Sequence, residues 1–455
     1  MKKSLISLAL ILLMFVVAGC GNNGESGVAA DGDNGESGAA AVEQRTVTFM
    51  TVGDPYVGAI QYLLSEFHEE HPDINVVLSS VPFLNLRELA ILEFVGGSGS
   101  YDIISVDMPW IGEFVEGGHL LELTDLVERD RDVLRPDEFL PGAWEGIAMY
   151  DGGVWTLPIA PYYMYLHYRT DVFEAHNLSV PVTLDEFKDA IVTLYDPDVP
   201  LYGLSVAMRR GPSIVHDWMA YFNGLGGTTF VDHENNFRTA IDSEIGYITT
   251  QLFRDVIPYS PAGVLQYENI DRWNDFMHGN SAMVTVFNAN SPMFETAEDS
   301  QVAGLVGYAH LPRLNANDPP SMPFAGFGMG INRDISEEQV EAAWTFMLWM
   351  TSEEIDRRWV QVPGTPGVPL RTATVRDPEL VAQFPYFQLI AEAEEAGTAD
   401  GVNFRSRLPE WPMIEEILGL ELNLAVSGEK EIQQALDDAA EQINELMRSR
   451  GYPVN

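Results

Sequence analysis

His68-Glu69-Glu70-His71 sets two histidines three residues apart with carboxylates between them. A zinc-protease helix needs its histidines four apart, so that both project from one face. Pro72 follows at once, and the segment reads as a solvated helix end. Gly96 to Ser100 lacks the last glycine of a Gly-x-Ser-x-Gly nucleophile elbow and follows a helical pattern instead of a strand. Gly326-x-Gly328-x-Gly330 has the wrong spacing for a dinucleotide and reads as a place where backbones pass closely. Asp and Glu number 68 against 25 Lys and Arg, so a carboxylate pair at glycosidase separation is expected by chance and marks nothing. Tyr162-Tyr163 could serve a ferric ion, but no accompanying Asp, Glu or His set stands out. The reading is therefore of a chain with no catalytic residue, no metal and no cofactor, whose chemistry is recognition.

The elements that must position such groups alternate. Thr46 to Met50 is β-branched and aromatic, turns at Gly53-Asp54-Pro55, and leads into a helix with Ile60, Leu63, Leu64 and Phe67 on one side. Ile74 to Leu78 predicts a second strand, Leu84 to Phe94 a second helix, and Asp102 to Val106 a third strand. This βαβαβ rhythm predicts a parallel sheet with right-handed crossovers. Ligands of such sheets bind beyond the strand C-termini. Here that means Asp54, Phe83, and Asp107 and Trp110 in the run Asp107-Met108-Pro109-Trp110.

The first residues give an address. Lys2 and Lys3 precede an apolar core from Leu8 to Val17, too short for the roughly 20 residues of a membrane span. It closes at Val17-Ala18-Gly19-Cys20, which resembles the lipobox of bacterial lipoproteins. That resemblance implies removal of residues 1–19 and a diacylglycerol on Cys20, the only cysteine. Residues 20–44 are rich in Gly, Asn, Asp, Glu, Ser and Ala and predict a flexible tether, on the order of 25 Å long. With its one thiol so committed, the folded part must be held by burial alone, without disulfides. The net charge of −43 repels nucleic acid and anionic lipid.

The later segments carry a broader likeness. Tyr101-Asp102-Ile103-Ile104, Gly117-Gly118-His119-Leu120-Leu121, Thr156-Leu157-Pro158 with Leu166 to Phe173, Pro181 to Phe187, Phe222 to Gly227, Phe276 to Met283 and Gly326 to Ile331 follow one another. In this order they resemble the bacterial extracellular solute-binding proteins of family 1, which deliver sugars to ABC importers. Leu184, where the family often has tryptophan, and the proline-rich Pro319 to Pro323 depart from the pattern. The resemblance implies an α/β, two-lobed, periplasmic-binding-protein-like fold of type II, each lobe a mostly parallel sheet flanked by helices. Three candidate crossings lie near Ala160 to Tyr163, Pro323 to Gly328 and Pro363 to Gly367. They divide the chain into lobe one, residues 45–160 and 328–363, and lobe two, residues 161–327 and 364–455.

It also implies a mechanism without bond making, in which the lobes close over a carbohydrate by hinge motion. A polyamine or other cation is the alternative ligand, and an exported carbohydrate hydrolase a further one. Sugar recognition needs flat apolar faces and polar groups fixed for several hydroxyls. Trp110, in a loop with no evident reason for burial, Asp107, Asp54 and Phe83 are candidates from the strand ends. Tyr162, Tyr163 and Phe324 come from the crossings, and Asn288 and Asn290 from the loop after a strand-like run. Trp218, Trp273 and Trp411 are added by their places in the resemblance. The expected partners are a carbohydrate and the permease of an ABC importer, and the expected state is a monomer lipid-anchored on the extracytoplasmic face of the cell membrane.

Overall fold

The computed structural model describes residues 44–455 except Ala297, Thr365 and Val402. Cys20, the expected leader and nearly all of the expected tether lie outside the described residues. The strand Arg45–Val52 ends at Gly53-Asp54, and the helix Pro55–Glu70 follows with proline in its first turn, where a missing N–H does no harm. Tyr56, Ile60, Leu63 and Phe67 form its buried stripe. The strand Ile74–Val81 and the helix Phe83–Gly96 come next, the helix stopping at Gly97 in the left-handed region at φ 55°. Arg45–Val52 then pairs in parallel with both Ile74–Val81 and Ile103–Asp107, as the sequence rhythm predicts.

Two long strands carry the chain between two cores. Thr156–Arg169 and Met322–Ile331 are antiparallel, paired from Thr156 with Gly330 to Tyr163 with Phe324. Met322–Ile331 also borders Ile103–Asp107, while the far half of Thr156–Arg169 pairs with Met283–Phe287 and Val306–Ala309. Gly326, at φ 149°, lies so close to its neighbour that a Cβ would sit 2.3 Å from the Ala160 carbonyl oxygen. No side chain fits there. The first core gathers Phe49, Ile60, Ile104, Leu157, Trp344 and their neighbours, and the second gathers Met164, Phe187, Trp218, Leu252, Trp411 and theirs.

Two expectations change. The strand pairs serving the second core are antiparallel, and parallel contact there is confined to isolated bridges such as Ser205 with Val284. The last passage between the cores also moves. Val368, Leu370, Phe387 and Ile390 lie in the first core and Phe404 in the second. The chain therefore crosses between Ile390 and Phe404, where Ala399 pairs with Met322, and not at Pro363 to Gly367, because Val368 and Leu370 beyond it still lie in the first core.

Candidate ligand-binding site

The C-terminal ends of the parallel strands present two carboxylates. Asp54 occupies the N-cap of the helix Pro55–Glu70, yet its side chain makes no capping bond and accepts a hydrogen bond from Tyr162 Oη at 2.7 Å. Burial raises its pKa, against the stabilising bond from Tyr162. Asp107 likewise leaves the short turn Met108–Trp110 uncapped and accepts from Arg405 Nη1 at 2.8 Å. Both partners are almost fully buried.

Aromatic rings surround these acids. Phe83 stacks on Trp110 with centroids 5.6 Å apart and planes at 17°. Its edge meets Phe327 at 6.2 Å and the His216 ring at 6.4 Å. Tyr162 packs on Phe287 and Phe327. Trp110 is only 5% exposed, which corrects the expectation of an unburied loop tryptophan: the turn after the strand folds its indole back beneath Phe83.

The second core contributes a charged relay. Arg405 Nη2 lies 3.6 Å from Glu415 Oε1, which is 3.2 Å from His216 Nε2. Burial raises the Asp107 pKa despite Arg405. Burial also disfavours the Glu415 carboxylate, but Arg405 and His216 outweigh it and its pKa falls. Burial and the nearby guanidinium lower the His216 pKa, so the imidazole is neutral near pH 7. With Nε2–H assigned as the donor to Glu415, Nδ1 is left as an acceptor. Among the described residues, Arg405 Nε and His216 Nδ1 are buried without a hydrogen-bond partner, and Arg405 Nη2 has only its long approach to Glu415. Such groups are costly to bury unpaired. A ligand hydroxyl can both accept from the arginine and donate to the imidazole.

The structure thus brings Asp54, Phe83, Asp107, Trp110 and Tyr162 into one cluster. Trp411 borders it: its helix, Trp411–Ser427, packs against the turn Met108–Trp110, and its fully buried indole N–H helps hold Glu415 ionised without completing a hydrogen bond. Tyr163 points the other way, because successive strand residues face opposite sides. Its hydroxyl donates to Glu394 and its ring meets Phe324. Trp218 sits two residues from His216, about 200° around the helix Pro212–Gly224, and so enters the second core, stacked on Phe222 and bonded to Thr250. Trp273 packs on a small separate cluster around Phe276 and Phe294. Asn288 ties the crossing strand, accepting from Tyr163 N at 3.1 Å and donating to the Pro161 carbonyl. Asn290 is buried with its amide facing Met293 sulfur at 3.9 Å. These last five, with Phe324, lie outside the cluster.

Sequence reasoning missed Arg405, His216, Glu415, Phe287 and Phe327. One signal was available for Arg405: in so acidic a chain, buried carboxylates at strand ends require a cation.

On the opposite face of the two crossing strands lies a cavity of about 660 Å³, reached by Met108, Phe324, Asn223 and the turn Gly142 to Gly146. It lacks the strand-end carboxylates and stacked rings of the cluster. Among the described residues, no group of three or more His, Cys, Asp or Glu could hold a metal, and no helix is long and apolar enough to cross a membrane.

Known proteins place this architecture. Residues 53–356 match the family described as bacterial extracellular solute-binding protein. A solved ABC transporter solute-binding protein of Agrobacterium radiobacter, in complex with ribitol, is 30% identical with a TM-score of 0.81, the match covering 89% of this chain and 99% of that one. A mannitol-binding protein of Pseudomonas aeruginosa is 22% identical over 90% of this chain and 94% of its own. A probable amino-acid ABC transporter periplasmic-binding protein of Sinorhizobium fredii is 23% identical over 82% and 84%. Two cores joined by crossing strands, a polar and aromatic cluster between them, and a match over most of the folded chain lead to one conclusion: the chain belongs to the bacterial extracellular solute-binding proteins.

Proposed function

We propose that the protein is the lipid-anchored receptor of an ABC importer and that it carries a sugar or sugar alcohol, closing its lobes over the ligand without chemistry. The single observation that carries this reading is the coincidence of stacked rings, Phe83 on Trp110, with buried polar atoms awaiting partners on Arg405 and His216. A polyhydroxylated ligand satisfies both needs, its C–H face on a ring and its hydroxyls on the arginine and imidazole. The relatives named for mannitol and solved with ribitol support the same class. Opening separates Arg405 from Asp107 and Phe83 from His216, and ligand hydroxyls compensate those groups when the lobes close again.

Anchoring rests on the run ending at Cys20. Replacing Cys20 by serine should release the protein from cells and leave ligand affinity unchanged. The ligand class is tested by thermal shift against pentitols, hexitols, mono- and oligosaccharides, polyamines and amino acids. A ligand at 100 times its dissociation constant adds about 2.7 kcal/mol. An amino acid is the reading to set beside the sugar, because the unpartnered guanidinium edge of Arg405 could take a carboxylate and one relative is named for amino acids. A shift with amino acids alone would overturn the carbohydrate assignment, and turnover of an oligosaccharide would overturn the receptor-only one.

A further inference from the structure

The cavity behind the crossing strands is not used by the proposed ligand site, and its walls have a chemistry of their own. Tyr162 faces the aromatic cluster while Tyr163 and Phe324 face the other way, and Phe324 lines the cavity. One wall is the π-helical turn Gly142–Ala148. Its i→i+5 geometry leaves carbonyls free of the usual ladder, and Arg407 Nη1 collects those of Glu145, Gly146 and Met149. Arg407 is the only cation among the described lining residues, which also include Glu145 and Asp318.

The opposite wall is the end of the helix Pro212–Gly224 and the glycine-rich loop after it. Asn223 is 5% exposed and donates from Nδ2 to the Gly227 carbonyl at 3.0 Å. Its Oδ1 is buried and has no partner among the described residues. A buried amide oxygen in that state calls for a donor. Met108, Leu225 and Phe324 supply apolar surface beside it. A group that donates hydrogen bonds, carries positive charge and has an apolar end matches all three features. The field of a chain with net charge −43 concentrates such cations nearby.

We propose that this cavity is a second ligand site, for a small organic ammonium ion, its N–H groups directed at Asn223 Oδ1 with Glu145 and Asp318 balancing the charge. The walls come from both lobes and from two of the segments that pass between them, so occupation is coupled to lobe closure. By linkage, an ammonium ion that changes affinity at the front site has its own affinity changed by the same factor.

Benzylammonium is the probe, followed by NMR of full-length protein carrying ¹³C-methyl methionine, with Met108 as the reporter. We expect a saturable shift of the Met108 methyl signal that persists with excess ribitol or D-mannitol. The exposed variant E145Q and the double variant with D318N should weaken binding by about tenfold or more, the worth of one charge-assisted hydrogen bond. N223L should weaken it as well. Tetramethylammonium, with the same charge and no N–H, should fail to compete. No saturable shift of Met108, unchanged affinity in E145Q/D318N, competition by tetramethylammonium, or displacement by the sugar alcohols at the front site would each overturn the proposal. A failure of the sugar alcohols to bind at all bears only on the carbohydrate assignment, because the benzylammonium titration is also run without them and is read through E145Q/D318N and N223L, which alter the rear lining.

Discussion

Tyr162 and Tyr163 are neighbours on one strand, and they look into two different places. The front face, toward Tyr162, is crowded: rings in contact, an ion pair joining two cores, polar groups buried beyond their partners. The rear face, toward Tyr163, is roomy and walled by glycine-rich turns, with Tyr163 bonded to Glu394 and the Asn223 amide oxygen without a partner among the described residues. On the proposed function, a ligand at the front exchanges for contacts the protein makes with itself, so binding and opening compete there for the same atoms.

The largest break in that contrast should come from Arg405→Met. It strands Asp107 and Glu415 in the interior, and removing one member of a buried pair costs about 3–5 kcal/mol. Both melting temperature and binding of the front ligand should collapse, and intact binding would remove Arg405 from the site. Trp110→Ala comes next. At 5% exposure and stacked on Phe83, the indole belongs to core and site together, so its loss should lower apo stability by roughly 3–5 kcal/mol as well as abolish the ligand shift. Retained apo stability would mean that the stack closes only with ligand.

The tyrosine pair sharpens the contrast most cleanly. Tyr162→Phe leaves Asp54 without its donor at the front and should weaken ligand binding by about tenfold, the equivalent of one hydrogen bond to a charged group. Tyr163→Phe removes only the bond to Glu394 at the rear and should reduce stability by about 1–2 kcal/mol with affinity unchanged. Calorimetry on both variants decides it, and equal effects on affinity would erase the distinction between the faces.

The smallest effect is a control away from both faces. His167 is fully buried in the second lobe, bonded to Ser291, and burial holds its pKa down to about 3. The unfolded chain binds a proton near pH 6.5 that the folded chain refuses. The stability from neutral His167 is therefore complete above that pH and declines on acidification toward the folded pKa, by about 1.4 kcal/mol per pH unit. His167→Gln should remove this part of the slope in urea unfolding between pH 6 and 4 without altering ligand affinity. An unchanged slope would show that His167 titrates normally in the fold.

The alternating strands and helices of residues 45–107 were legible because each signal is local: a β-branched run, a turn at Gly53-Asp54-Pro55, an apolar helical stripe. From them, the rule that ligands gather at strand ends led to Asp54, Phe83, Asp107 and Trp110 directly. The tryptophans brought in by likeness fared less evenly. Trp411 borders the cluster, while Trp218 is turned into the core by two residues of helix. Nothing local pairs Arg405 with Asp107, 298 residues earlier, or His216 with Glu415, 199 later.

By itself, the sequence determined the charge, the order of the first elements and which residues end the parallel strands, since each depends on composition or on a few neighbouring residues. Only the tertiary structure decided which of two adjacent tyrosines faces the candidate cluster, where the last passage between cores lies, and that Arg405, His216 and Glu415 complete that cluster. Those are matters of facing and of long-range contact, fixed when two cores pack on either side of the same pair of strands.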